Sequence, residues 1–323
     1  MRPAAILFML LASCVAALGL NLSVGPDGVD ALGTWEGLTG QGDVLTVQLV
    51  RELRLPRAMM ALACGASLAV VGALLQALLR NPLADPYVLG VSGGAGAAAL
   101  AAMLLGSGTL GLVLGGFAGA GASLALILAL GYRGGFLPAR LLLAGVILSA
   151  AWGALTTLLL ALAPDAPLRG MVFWLMGDLT APESAWPVSA LAAGLLLAIW
   201  PLARTLDALA RGELSAAALG VSVARTRAVV LFICAVATAA VVVSAGSIGF
   251  VGLVTPHLVR LAGARRHGLL LPAAWLGGAT LLLLADVAAR ALLAPRQLPV
   301  GAITALIGAP LFLYLLLRDS RRP

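Results

Sequence analysis

A chain of 323 residues that is 62% hydrophobic and only 10% charged, with a mean hydropathy of +1.08, lies far outside the roughly half-apolar balance of water-soluble domains. All 20 of its basic residues are arginines, so a GxxxxGK[ST] phosphate loop and a Schiff-base lysine are both excluded. Two histidines and three cysteines are too few and too scattered for a metal site, and no catalytic residue or metal ligand is expected.

A spanning helix needs about 20 mostly apolar residues. Apolar runs at 3–20, 59–79, 88–105, 110–130, 141–162, 188–202, 228–245, 248–261, 269–287 and 300–317 predict an all-α polytopic protein with about ten transmembrane helices. One membrane domain, 1–323, then accounts for the chain. The first run competes with a signal peptide, but no convincing small-residue cleavage site separates it from residues 21–43. Cys14, Cys64 and Cys234 all fall in apolar runs and read as small buried hydrophobes.

Ten crossings put both termini on one side. With cytoplasmic termini, 14 of the 20 arginines face inward and nine of the 13 acids face outward, as the positive-inside rule requires. The sequence pI near 10.6 then needs no nucleic-acid partner. Residues 244–256 carry Gly246, Gly249, Gly252 and Pro256, which predicts a broken or half-length helix packed in protein or lining a cavity. Gly115, Gly119 and Ser123 recur at a spacing that lets helices approach closely.

Between the second and third runs, Gln76 precedes Arg80-Asn81-Pro82-Leu83-Ala84-Asp85-Pro86 and then Leu89-Gly90. The prolines and the Asx residues end one helix and start the next, with Asn81 or Asp85 able to cap free backbone donors. Arg54-Leu55-Pro56-Arg57 stands before the same span. Further on come Phe173-Trp174-Leu175-Met176-Gly177, Arg211-Gly212-Glu213 to Leu219-Gly220, Gly249-Phe250-Val251-Gly252-Leu253-Val254-Thr255-Pro256-His257, Leu284-Ala285-Asp286, and Leu298-Pro299-Val300-Gly301 through Gly308-Ala309-Pro310. In this order the strings resemble the FecCD family, the permease subunits of bacterial importers for iron-siderophores, haem and cobalamin. Residues up to about 43 match only in character.

That resemblance implies the type II ABC importer permease fold in the bacterial inner membrane. It implies a homodimer or pseudodimer with the path between subunits, two ATPase subunits that carry ATP and Mg, and a periplasmic substrate-binding protein. No cofactor is expected on this chain. The stretch 206–223 would form paired coupling helices against the ATPase, with Leu206, Asp207, Arg211, Glu213, Leu219 and Gly220 as contact candidates. Arg211 departs from the family, which usually has an apolar residue there. Arg54, Arg57 and Arg296 are the candidates for docking acidic residues of the binding protein, since outer arginines are the minority and such pairs set orientation and on-rate. Arg290 serves docking equally well or pairs locally with Asp286. Gln76, Asn81, Pro82, Gly249, Gly252, Pro256 and His257 belong to the path or to helix packing. A lone membrane histidine such as His257 is more often hydrogen-bonded structure than a proton relay. His267, beside Arg265 and Arg266, reads as part of a solvated inner turn, and the turn 131–140 is a candidate cytoplasmic gate.

An ion-coupled secondary transporter is the rival class. It would place ionisable residues in mid-membrane, and only Asp286, near an outer end, offers itself. A membrane enzyme would need clustered carboxylates or histidines around one pocket, and no such pair occurs within a span. Breadth of the family favours an iron chelate, with cobalamin next, but no residue separates siderophore, haem and cobalamin.

Overall fold

The computed structural model describes residues 3–25, 28–87, 89–134, 137–179 and 185–319. In chain order these form α1 (Pro3–Ser23), a two-residue ribbon β1 (Val24–Gly25) and β2 (Gly28–Val29), α2 (Ala31–Thr39), α3 (Val44–Gln48), a π-helical turn (Leu49–Arg54) and α4 (Leu55–Leu79). Then come α5 (Val91–Leu104), α6 (Gly108–Gly134), α7 (Pro138–Leu162), α8 (Asp165–Leu175) and α9 (Trp186–Ile199). A 3₁₀ turn (Trp200–Leu202) leads into α10 (Ala203–Arg211), followed by α11 (Glu213–Ala218), α12 (Val223–Ala245), α13 (Val251–Leu261), α14 (His267–Ala291) and α15 (Val300–Asp319). The ribbon is antiparallel, pairing Val24 with Val29 and Gly25 with Gly28.

Seven helical segments among the described residues are long and apolar enough to cross a membrane, and shorter apolar helices stand at α5, α13 and α15. Together they match the ten apolar runs. The boundaries move where backbone chemistry overrides hydropathy. The run at 248–261 yields a helix only from Val251, and the run at 188–202 continues into α10 without a loop. Val88, the expected start of the third span, lies outside the described residues, and α5 begins at Val91.

Local signals place the helix ends. Pro138 sits in a first turn, where a missing N–H costs nothing, and Pro56 stands just after the π-helical turn. α4 stops at Arg80, whose φ of 49° is left-handed. The next residue, Asn81, accepts from the Leu83 N–H at 2.9 Å. Between α1 and α4, Asp30 caps α2 through the Gly33 N–H at 2.8 Å, and Asp43 caps α3 through the Thr46 N–H at 3.1 Å. This polar cap has no apolar run of its own, and hydropathy does not predict it.

α4 is the axis of the protein, with 89% of its most apolar window buried. Glycines allow that. A Cβ on Gly65 would sit 2.2 Å from the Gly278 carbonyl oxygen, so α4 and α14 touch backbone to backbone. α5 and α6 meet in the same way, because a Cβ on Gly119 would come within 2.0 Å of the Gly94 oxygen. In contrast, α7 buries only Leu141 and Gly145.

Candidate functional sites

The first site is the broken helix. α12 ends at Ala245, Gly246 turns the chain at φ 67°, and Phe250 takes a left-handed φ of 68° before α13 starts. Packing enforces the glycine, since a Cβ on Gly246 would lie 1.8 Å from the Trp174 oxygen. The Asp178 N–H donates to the Ala245 carbonyl at 2.9 Å and the Val300 N–H to the Gly177 carbonyl at 3.0 Å. The end of α8, the break and the start of α15 therefore form one junction.

The turn that ends α4 holds this break from the other side. The Ile248 N–H donates to the Tyr87 hydroxyl oxygen, and Asp85 accepts from the Tyr87 N–H at 2.9 Å through Oδ1. Its other oxygen, Oδ2, is buried beside Gly252 with no hydrogen-bond partner among the described residues. Burial pushes the Asp85 carboxyl up to about 6, partly opposed by the Tyr87 N–H. Gln76 completes the grip. Its Nε2 donates to the Gly252 and Leu253 carbonyls at 3.3 Å each, while Oε1 accepts from Arg260. Gln76 thus ties α4 to both ends of α13.

The remaining sequence candidates here divide. Gly252 stands at a close contact, since a Cβ there would lie 2.9 Å from the Leu68 carbonyl oxygen, and Pro256 is buried inside α13. Gly249 has open space around it. His257 sets its ring edge-on to Phe312 of α15, with centroids 6.0 Å apart. Pro82 is exposed in the turn, and Asn81 acts on the turn's own backbone.

The second site is a cleft of about 250 Å³ beside the cap, lined by Asn21, Leu53, Arg54, Arg57, Arg290 and Gln297 among others. Beneath it, Asp286 is fully buried. Its Oδ1 accepts from Arg57 Nε at 2.9 Å and Nη2 at 2.8 Å. Its Oδ2 accepts from Arg290 Nε at 3.1 Å and Asn21 Nδ2 at 3.0 Å. The local pair of Arg290 with Asp286, one of the two readings open from sequence, is present, and Arg57 joins it from 229 residues away. An ion-coupled transporter needs an accessible acid, whereas this one is saturated. Arg57 keeps 11% of its side chain exposed and turns Nη1 to Gln297 at 2.8 Å. Arg54 donates to the Leu22 carbonyl at 3.1 Å. Arg296 is exposed.

The third site is the α10–α11 helix pair. α10 and α11 have a small core of their own, Ala208, Leu209 and Ala216, and polar pairs hold them to the spans. Asp207 Oδ1 accepts from the His267 backbone N–H at 2.9 Å and meets its Nδ1 at 2.6 Å. Glu213 pairs with Arg227 of α12 at 2.7 Å. Two expectations are corrected. His267 is not in a solvated turn but buried at the first position of α14, because Asp207 caps that helix end. Leu206 is fully buried in the main hydrophobic core of the protein, so it faces inward rather than toward a partner. Arg211, Leu219 and Gly220 are exposed. Leu214, at 88% exposure, is the most prominent apolar side chain of the segment, and nothing in its sequence context singles it out. Gly135 and Phe136 of the candidate gate turn lie outside the described residues.

Comparison with known proteins places this architecture. The FecCD transport family matches residues 10–318. The vitamin B12 import system permease protein BtuC of Shigella boydii is 41% identical over 309 residues, covering 94% of this chain and 92% of the relative. BtuC of Escherichia coli strain K12 / DH10B gives the same figures. A solved structure described as an inward-facing conformation of a metal-chelate type ABC transporter superposes with a TM-score of 0.87 at 34% identity, over 98% of this chain and 99% of that one. PsaBC from Streptococcus pneumoniae, at 20% identity and a TM-score of 0.59 over 83% of this chain and 92% of that one, shares the fold.

Proposed function

The chain belongs to the FecCD transport family, and from that premise we propose that this transmembrane ABC importer permease carries cobalamin across the inner membrane. The observation that carries the substrate is the 41% identity to vitamin B12 permeases over 94% of the chain. A structural neighbour described as a metal-chelate type transporter supports the same chemical class, since cobalamin is a cobalt chelate. Siderophore and haem are the alternatives within the family.

In this reading the chain works as a homodimer, with α7 turning its largely uncovered face to the second copy and the path. An ATPase subunit seats under each α10–α11 pair, where exposed Leu214 and Leu219 offer apolar contacts beside Arg211. ATP and Mg stay on that subunit. A periplasmic binding protein docks at the outer cleft through acidic side chains, with Arg57, Arg54 and Arg296 as their partners. Both termini lie in the cytoplasm in this reading, which the arginine distribution supports.

The test is ATP hydrolysis in liposomes containing the permease and its ATPase, with binding proteins loaded in turn with cyanocobalamin, a ferric siderophore or haem. Stimulation by the cobalamin-loaded protein alone is the expected result. Stimulation by another loaded protein would reassign the substrate, and uptake driven by an ion gradient without ATP would overturn the importer reading.

A further inference from the structure

We propose that Asp286 is a positioning residue for docking: it fixes the fork of Arg57 so that one edge is satisfied inside the protein and the other faces the outer cleft. The inference rests on the docking part of the function proposed above.

The geometry argues for orientation over mere neutralisation. Three arginines, Arg54, Arg57 and Arg290, line the cleft, and Asp286 is the carboxylate they share space with. Charge alone would leave a cleft strongly attractive to any anion. The carboxylate instead takes the Nε and Nη2 edge of Arg57, both donating to Oδ1 and Nε also lying 3.3 Å from Oδ2, which leaves Nη1 pointing to Gln297 at the surface. Arg290 does not share that freedom. Its Nε goes to Asp286, Nη2 to the Asn21 carbonyl at 2.8 Å and Nη1 to the Val24 carbonyl, so it anchors α1 and the ribbon. Asn21 closes the arrangement by donating to Asp286 and to the Leu283 carbonyl, both at 3.0 Å. Asp286 therefore holds α1, α4 and α14 together at the point where Arg57 emerges. A planar guanidinium can serve two partners on two edges, which an ammonium cannot. A preset side chain also loses less rotamer freedom on binding.

Two substitutions separate position from charge. Asp286→Asn makes the cleft more positive. If charge alone recruits the acidic partner, this variant binds at least as tightly and associates faster. If Asp286 positions Arg57, affinity falls by about tenfold, through faster dissociation. Arg57→Lys keeps every charge but loses the two-edged fork, and the same loss is expected. The measurement is binding of the cyanocobalamin-loaded cobalamin-binding protein to the permease with its ATPase in lipid nanodiscs, with association and dissociation rates read separately. Arg57→Lys covers the case in which Asp286→Asn fails to fold. Wild-type affinity in Arg57→Lys, or tighter binding in Asp286→Asn, would overturn the proposal while leaving docking intact. Failure of the wild type to bind would instead remove the docking reading itself.

Discussion

Gly72 of α4 and Gly252 of α13 meet so closely that a Cβ on Gly72 would lie 1.9 Å from the Gly252 carbonyl oxygen. The broken helix therefore rests backbone on backbone against the central helix, and Gln76 one turn further along donates to that same carbonyl. The break is a built element, clamped on one side by α4 and its following turn and on the other by the glycine junction with α8 and α15.

Gly72→Ala is expected to destabilise the protein by about 1–3 kcal/mol, the usual cost of forcing extra volume into a tight core. Gly121→Ala is the control, since a Cβ there meets nothing within 4 Å and alanine favours a helix. Thermal unfolding in detergent, followed by loss of the monodisperse peak, distinguishes the two. Equal melting temperatures would show that the α4–α13 crossing relaxes freely.

Gln76→Leu removes the acceptor of Arg260 and the donor to two carbonyls. Hydrogen bonds to charged groups contribute about 1.5–3 kcal/mol, so a loss of that order is expected. Gln76→Glu keeps the acceptor for Arg260 and loses only the donor to the carbonyls. It should retain more stability than Gln76→Leu in the same thermal assay. The reverse order would show that a buried carboxylate oxygen facing the Gly252 and Leu253 carbonyls costs more than the retained Arg260 pair contributes.

Asp85 gives a dependence on pH with a defined sign. Its folded-state value of about 6 lies above the ordinary 3.8, so between those values the folded protein holds the proton more firmly than the unfolded chain. Its contribution to stability is full below about 4 and is lost as pH rises through 6. Asp85→Asn should therefore gain stability over the wild type at pH 7 and much less at pH 4.5. A constant difference between the two melting curves would contradict this.

At the inner face, Leu214→Asp places a charge on the most exposed apolar side chain of the helix pair. Co-purification of the ATPase should fall by about tenfold or more, since burying an unpaired charge in an interface is costly. Leu206→Ala should leave the partner bound and lower thermal stability by about 2–5 kcal/mol, because Leu206 is fully buried in the protein core. Full ATPase recovery with Leu214→Asp would move the contact elsewhere on the segment.

Arg296→Glu reverses an exposed outer charge. Docking of the cobalamin-binding protein should slow, and the difference from wild type should shrink as salt is raised past the Debye screening range. An unchanged association rate at low salt would exclude Arg296 from the encounter.

Hydropathy made the spans legible because lipid demands long apolar runs, and glycine spacing marked the break at 246–252 and the α5–α6 contact. The outer cap from Val24 to Arg54 stayed hidden because short mixed helices carry no such demand. The long-range pairs were equally invisible. Asp286 and Arg290 lie one helical turn apart, so their pairing could be anticipated, whereas Arg57 reaches the same carboxylate only through the folding of α4 against α14. His267 and Asp207 are 60 residues apart. Nothing in the Arg265-Arg266-His267 string marks the histidine as buried, and its basic neighbours suggest water. Leu206 and Leu214 look alike in sequence, and only the packing of α10 and α11 separates a core residue from an exposed one.

The near-complete enclosure of α4 imposes a schedule on biogenesis. α14, which covers its glycine face, begins about 190 residues after α4 ends. At about 5–20 residues per second of synthesis, that face waits on the order of 10 to 40 s for its partner. During the interval α4 lacks the one helix that meets its Gly65 backbone to backbone, while α9, α12 and α13, which cover its other sides, are made before α14. Closure of that face is thus the last step, and the order of synthesis sets its delay.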